Sequence, residues 1–245
     1  MDSGQPDLTV VVPCYNEAWR LAHFFELIRA NPQLNWEWVF VDDGSTDQTS
    51  DRVQAFLETV PAEIRLLAHP TNHGKGAAVR TGFQLAEAMN FTHALQIDAD
   101  DQHNADDIPR FLEVAQQRHE ALIIGDPIFD YTVPPSRLFG RKITQFWIGV
   151  ETRGKFTGDA LCGFRVYPLA QAVASKSTAD RMAFDIEILV RTLWRGIEVR
   201  TLPTRVRYIP REQGGVSHFR YFRDNFAISL LHFRLVCLGI INYFR

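Results

Sequence analysis

Five times in the first half of this chain an apolar run ends in a polar turn and gives way to a stretch with helical spacing, and that rhythm limits the fold more than any other feature. Thr9-Val-Val-Val-Pro13 is too continuously β-branched to be half exposed, so it predicts a strand covered on both faces. Leu21, Phe24, Phe25 and Ile28 follow at i, i+3, i+4 and i+7, one face of a helix. The strand pattern from Trp36 to Val41 runs into Asp42-Asp43-Gly44-Ser45-Thr46-Asp47, where Gly44 permits the turn and Ser45, Thr46 or Asp47 can cap a helix to about Glu58. Ile64–Ala68 reads as a third strand, and Asn72-His73-Gly74-Lys75-Gly76 opens a helix through about Met89. A fourth strand ends at Asp98, a helix begins near Ala105, and Ala121–Gly125 is the fifth strand. This alternation predicts an α/β protein: a doubly wound, mostly parallel sheet with helices on both faces and its ligand-binding turns along the carboxyl edge.

After Gly125 the rhythm changes. Pro127, Pro134 and Pro135 break a loop, and a basic helix follows around Arg137, Arg141 and Lys142. Asp159-Ala-Leu-Cys-Gly-Phe-Arg165 leads into a short strand. Next comes a helix with Ile186, Leu189, Val190 and Leu193 on one face and Asp185 and Glu187 near its start. A strand pattern from Val199 to Tyr208 ends in a polar loop, Pro210–Ser217. With 245 residues, no internal repeat and no low-complexity linker, residues 1–218 read as one domain, followed by a helix over 219–245. In that helix Arg220, Arg223 and Arg234 fall within roughly a 60° arc, while Phe222, Phe226, Phe233 and Ile240 lie elsewhere on the cylinder. A membrane span is a poor fit, because a central Arg234 would cost about 3 kcal/mol. The pattern predicts instead an amphipathic helix on an anionic membrane, arginines toward the headgroups; packing on the protein's own core or in a dimer is the alternative.

Charge divides the chain. Residues 1–130 carry 8 Lys+Arg against 21 Asp+Glu, and residues 131–245 carry 18 against 8, within an overall −3. The first half is therefore expected to gather cations and the second to meet anions. Cys14, Cys162 and Cys237 have no metal-ligand spacing, and the polar, acidic start lacks a secretory signal, so a reduced, cytoplasmic chain is expected, with no nucleic-acid partner.

The turns narrow the chemistry. Pro13-Cys-Tyr-Asn-Glu17 stands where a dinucleotide fold would need Gly-x-Gly-x-x-Gly, and Gly74-Lys75-Gly76 lacks the spacing and following hydroxyl of a Walker loop. Asp42, Asp43 and Asp47 can accept hydrogen bonds from a ribose or a base, or help hold a metal. Asp98 and Asp100, two positions apart at a strand's end, suit Mg²⁺ or Mn²⁺, which take a few carboxylates and complete their shell with substrate phosphates; Gln102 and His103 extend the same turn. The bland reading of this turn is an acidic loop capping the helix that starts near Asp106.

Taken in order, Val12-Pro-Cys-Tyr-Asn-Glu17, Val41-Asp-Asp-Gly-Ser-Thr-Asp47, Asn72-His-Gly-Lys-Gly76, Ile97-Asp-Ala-Asp100 with Gln102-His103, and Gly163-Phe164-Arg165 resemble the successive motifs of the family 2 glycosyltransferases. The nearest branch looks like the dolichyl- or polyprenyl-phosphate sugar transferases, over about residues 8–215. The resemblance implies a GT-A fold with a nucleotide-sugar-binding half over 1–125 and an acceptor half over 126–218, a UDP- or GDP-sugar donor held with Mg²⁺ or Mn²⁺, and inversion at the anomeric carbon. Pro13, Tyr15, Glu17 and Asp42 would contact the nucleotide, with Asp43, Lys75 and Asp98 on the same donor side; Asp98, Asp100 and Gln102 would hold the metal. A lipid-phosphate acceptor is already anionic and needs placing, for which Arg137, Arg141 and Arg165 are the candidates. A lipid hydroxyl would need a general base, and Asp159 is the candidate. The work would be done peripherally at the inner face of the cell membrane. Two features depart from the branch: Gly125-Asp126-Pro127 replaces Gly-Ser-Arg, and Gly215-Val-Ser217-His218 replaces Ser-Lys. A sugar-nucleotide pyrophosphorylase, which opens with a Gly-rich, Arg-containing loop missing here, and a non-catalytic nucleotide-binding protein are the alternatives.

Overall fold

The computed structural model describes residues 8–30, 36–60, 63–131, 133–208 and 220–243. Strands β1 (Leu8–Cys14), β2 (Glu37–Asp42), β3 (Ile64–Ala68), β4 (His93–Gln96), β5 (Leu122–Phe129), β6 (Arg165–Pro168) and β7 (Val199–Val206) form one sheet in the order β3-β2-β1-β4-β6-β5-β7. The first four strands are parallel to one another, as is the β5–β7 pair, whereas β6 runs antiparallel to both its neighbours. The strongly β-branched β1 and the all-buried β2 lie inside the sheet; β3, at an edge, is only partly covered.

Helices α1 (Leu21–Ala30), α2 (Thr49–Leu57), α3 (Lys75–Ala88) and α4 (Ile108–Gln117) are the crossovers of the first five strands. Phe24 and Phe25 of α1 meet Trp38, Phe40 and Phe56 in an aromatic cluster, Phe25 stacking on Phe56 at 4.1 Å. Each such ring, fully buried, contributes on the order of 2 kcal/mol. The fifth strand runs past the expected Gly125 to Phe129, carrying Pro127 within it. The missing N–H is tolerated because β6 pairs with β5 only at Ile123 and Ile124, so Pro127 has a neighbour on one side alone, Thr204 of β7.

The second half adds α5 (Pro135–Thr152), α6 (Leu169–Ala174), α7 (Phe184–Trp194) and α8 (Tyr221–Tyr243). Helix α8 is part of the body of the protein: Ile228, Leu231 and Leu235 join the common core. His232 Nδ1 lies 2.7 Å from Glu151 Oε1 on α5, and the Glu151 carbonyl accepts from Trp194 Nε1 of α7 at 2.9 Å. Both carboxyl-bearing residues of α5 and α8, Glu151 and Asp224, are buried. The outward face of α8 carries Phe222, Phe226, Leu230, Phe233 and Ile240, roughly opposite the buried face round the axis, with the arginines between the two. So the arginine arc read from the sequence is a flank, and the phenylalanines are the outer surface. Among the described residues no helix is long and apolar enough to cross a membrane. The polar loop expected at Pro210–Ser217 lies outside the described residues.

Candidate active site

The turns after β1 and β2 are tied to each other. Asn16, in a left-handed conformation (φ 56°), accepts from the Thr46 amide at 2.8 Å through Oδ1, and its own amide donates to Ser45 Oγ at 2.9 Å. The Glu17 amide donates to Thr49 Oγ1 at 3.0 Å. Asp42 is spent on the same knot, accepting from the Ser45 amide at 2.9 Å and from the Ser50 hydroxyl; it is buried and does not line the cleft described below. Asp43 does line it, although its oxygens hold the following loop, taking the amides of His73 (3.0 Å) and Gly74 (2.5 Å) and facing His69 Nδ1 at 2.7 Å.

Lys75, first residue of α3, is the hub of the site. Its ammonium donates at 2.8 Å to Asp98 Oδ2 and at 2.8 Å to Asp185 Oδ2 at the start of α7. Burial works against that charge, but Asp185 and Asp98 more than offset it and hold the pKa above its ordinary value. Asp185 also accepts from Gln96 Nε2 at 3.1 Å, and Gln96 in turn accepts from Tyr167 OH at 3.1 Å. Gly163 packs directly on the Asp98–Lys75 pair, leaving no room for a side chain. The other two residues of that motif are structural: Phe164 stacks on Phe111 at 4.1 Å, and Arg165, fully buried, donates to the carbonyls of Ala160 (2.8 Å), Cys162 (2.7 Å) and Asp185 (2.8 Å). Arg165, expected beside an acceptor phosphate, has its guanidinium committed to shaping the loop that carries Gly163.

Asp98 and Asp100 come together as the sequence suggested. Burial, and then the charge of Asp98, push the Asp100 carboxyl up to about 7. Asp98 Oδ1 is buried and has no hydrogen-bond partner. Two adjacent carboxylates, one oxygen unmatched and one group resisting ionisation, fit a divalent cation at this point. Among the described residues no group of three or more His, Cys, Asp or Glu could hold a metal by itself, so a cation here would draw its remaining ligands from water and substrate phosphates. Gln102 does not line the cleft; its amide donates to Asp100 Oδ1 at 3.1 Å and its carbonyl accepts from the Arg207 amide at 3.1 Å. His103 is driven down to about 4 by burial and stays neutral.

Arg141 of α5 is ion-paired with Asp159, donates to Tyr208 OH at 3.2 Å and lies over the Phe129 ring at 4.9 Å. Arg137, one turn earlier, sits 5.2 Å from the Tyr208 ring centroid. Asp159 accepts from Arg141 and from the Leu161 amide at 2.7 Å.

Pro13, Tyr15, Glu17, Asp43, Lys75, Asp98 and Asp100 share one cleft of about 270 Å³. Sequence reasoning missed four of its walls: Arg181 and Met182 from the loop before α7, Arg220 just before α8, and Asp224 from the first turn of α8. Arg181 donates to Asn72 Oδ1 at 2.9 Å. No local spacing announces these residues, because each is brought in from more than a hundred positions downstream of Asn72.

The family model of "Glycosyl transferase family 2" matches residues 9–170. A dolichyl-phosphate beta-glucosyltransferase of Dictyostelium discoideum is 30% identical over 74% of this chain; the alignment spans 61% of that protein's length. An undecaprenyl-phosphate 4-deoxy-4-formamido-L-arabinose transferase of Pectobacterium carotovorum is 30% identical over 95% of this chain and 67% of its own. Among solved structures, the glucosyl-3-phosphoglycerate synthase of Mycobacterium tuberculosis in complex with Mn²⁺, UDP and glucosyl-3-phosphoglycerate superimposes with a TM-score of 0.67, at 18% identity, over 97% of this chain and 79% of that one. That likeness shows the GT-A fold. On the family match, which covers most of the sheet and the turns that build the cleft, the chain belongs to glycosyl transferase family 2.

Proposed function

We propose that this chain is an inverting glycosyltransferase moving a sugar from a UDP- or GDP-sugar to a polyprenyl phosphate at the cytoplasmic face of a membrane. The observation that carries the reading is the meeting of Pro13, Tyr15 and Glu17 with the paired Asp98 and Asp100 in one cleft at the carboxyl edge. The acceptor class is supported by the two relatives named for dolichyl and undecaprenyl phosphate.

In this reading Asp98 and Asp100 would hold Mg²⁺ or Mn²⁺, which when bound would supply Lewis-acid neutralisation of the diphosphate leaving group. Lys75 and Asp185 keep Asp98 in place, and Gly163 lets the acceptor loop close against it. A phosphate acceptor arrives with an anionic oxygen, so the chain must orient it and exclude water rather than remove a proton. Arg141 and Arg137 are the groups for that orientation. The commitment of Asp159 to Arg141 and to the Leu161 amide favours the phosphate acceptor over a hydroxyl, which would need this carboxylate as a base.

The lipid contact we propose is shared by α5 and α8. Phe139, Ile143, Phe146 and Val150 lie within roughly a 60° arc of α5 and are exposed, Phe139 at 67% and Phe146 at 64%. With the outer face of α8 they make an apolar surface whose exposed charges on these helices, Lys142, Arg223 and Arg234, are all basic. Insertion of phenylalanines beside basic side chains suits an anionic bilayer.

Incubating the chain with Mn²⁺, a panel of UDP- and GDP-sugars and vesicles containing a polyprenyl phosphate tests the function. One donor is expected to yield a glycosylated lipid phosphate with the inverted anomer. Nucleotide-sugar turnover that ignores the divalent cation would refute it.

A further inference from the structure

Helix α8 touches two places at once. Its N-terminal end walls the donor cleft, with Arg220 just before the helix and Asp224 in its first turn, and its outer face is the phenylalanine row proposed above to enter lipid. The first turn is closed on itself: the Arg220 amide donates to Asp224 Oδ2 at 2.6 Å, and the Asp224 amide donates to the Arg220 carbonyl at 2.8 Å. Asp224 is 5% exposed. Arg220 is thereby fixed to the helix, and any tilt or shift of α8 carries it along. The cations of the cleft differ in how they are held. Lys75 is saturated by Asp98 and Asp185, and Arg181 is tethered to Asn72, whereas the Arg220 guanidinium makes no hydrogen bond or ion pair with the described residues. Among the described residues this cation has no counter-ion, and the far side of the cleft is the Asp98–Asp100 pair.

We infer that α8 is a lever linking lipid contact to the donor cleft, with Arg220 at its cleft end contacting phosphate oxygens of the nucleoside diphosphate. The inference rests on the proposed function for the identity of the ligand. Seating the phenylalanine face on a bilayer then adds to the core packing of Ile228, Leu231 and Leu235 in holding the N-terminal end of α8, and with it Arg220, in the position that holds the donor.

The test is titration of UDP with Mn²⁺ into the full chain, alone and with vesicles of phosphatidylcholine and phosphatidylglycerol, with no polyprenyl phosphate present, so that only donor-side phosphate is read. Arg220→Ala is expected to weaken UDP binding about tenfold, as for loss of one charge-assisted contact, with Arg220→Lys recovering part of it. Vesicles are expected to tighten binding by the parent chain, and to do nothing for a Phe226→Ser/Phe233→Ser double variant. Parent-like affinity in Arg220→Ala, or a vesicle-bound parent no tighter than the free chain, overturns the inference while leaving the functional reading intact. Failure of the parent to bind any nucleotide overturns both.

Discussion

A single methyl group at Gly163 separates function from fold in this protein. A Cβ built there would stand 2.8 Å from Asp98 Cγ and 2.5 Å from Lys75 Nζ, where ordinary contact begins at 3.4 Å. The atom nearest that Cβ is Asp98 Oδ2, closer than either, so the Asp98 carboxyl must retreat by about 1 Å, and the Lys75 ammonium with it, since the two are hydrogen-bonded. The backbone itself accepts alanine, because Gly163 is not among the residues at positive φ, and removing a glycine restrains the unfolded chain by about 0.4–1 kcal/mol. The neighbours that yield are the ends of side chains, which is cheap for folding. Displacement on this scale at a group that positions substrate costs about 10²-fold in rate, or about 2.7 kcal/mol. Gly163→Ala is accordingly expected to melt within a few degrees of the parent while losing about two orders of magnitude in kcat/KM for sugar transfer, with weaker Mn²⁺-dependent UDP binding by calorimetry. Full activity with an unchanged melting temperature would refute the claim that Gly163 exists to admit Asp98 and Lys75.

Asp100→Ala should abolish metal-dependent nucleotide binding and keep the native circular dichroism spectrum; binding at parental strength would remove Asp100 from the metal site. Arg165→Met is expected to destabilise by about 3 kcal/mol in denaturant titration, since three buried carbonyls lose their donors; a stable variant with a raised KM for acceptor would restore Arg165 to the acceptor phosphate. Glu187 is the anchor of the loop that carries Arg181: its carboxylate takes the amides of Thr178 (2.8 Å) and Ala179 (2.7 Å), Ser177 Oγ (3.0 Å) and Arg191 Nε (2.8 Å). Burial raises its pKa, but those amides and Arg191 outweigh it and leave the pKa below the ordinary carboxylate value, so the ionised form stabilises the fold above that range and the contribution is lost as pH falls through it. Glu187→Gln should lose about 2 kcal/mol at neutral pH and show a flatter decline in stability on acidification than the parent; an identical acid profile would remove this carboxylate from the account. Finally, Phe226→Ser/Phe233→Ser should fail to float with anionic vesicles, and flotation equal to the parent would dismiss the lipid surface.

What could be read from residues alone follows from the range of the interactions involved. The first five strands are written in short apolar runs, and the turns after them fall on the edge where such sheets bind ligands, so Pro13, Tyr15, Glu17, Asp98 and Asp100 arrive together as expected. The reversed β6 was not legible, because four buried residues carry no mark of direction. Arg165 is another case: an arginine before a short strand looks like a phosphate ligand, and only the three carbonyls around it show otherwise. In α8 the helical wheel separates arginines from phenylalanines, but a wheel has no reference direction. It took the packing of Ile228, Leu231 and Leu235 against the core to show which side faces out.

The reversal of β6 has one more consequence. A strand laid head to tail with its neighbours begins where they finish, so the segment just before it, Asp159 to Phe164, is delivered to the same rim as Asp98. Had β6 run with the others, that segment would sit at the far rim, and Gly163 would be a full strand away from Asp98 and Lys75. The register of β6 also fixes what each rim receives: a slip of one residue would exchange Arg165 with Val166, emptying the three carbonyls of their donor and driving an isopropyl group into their place. One backward strand of four residues thus brings Gly163 against the Asp98–Lys75 pair.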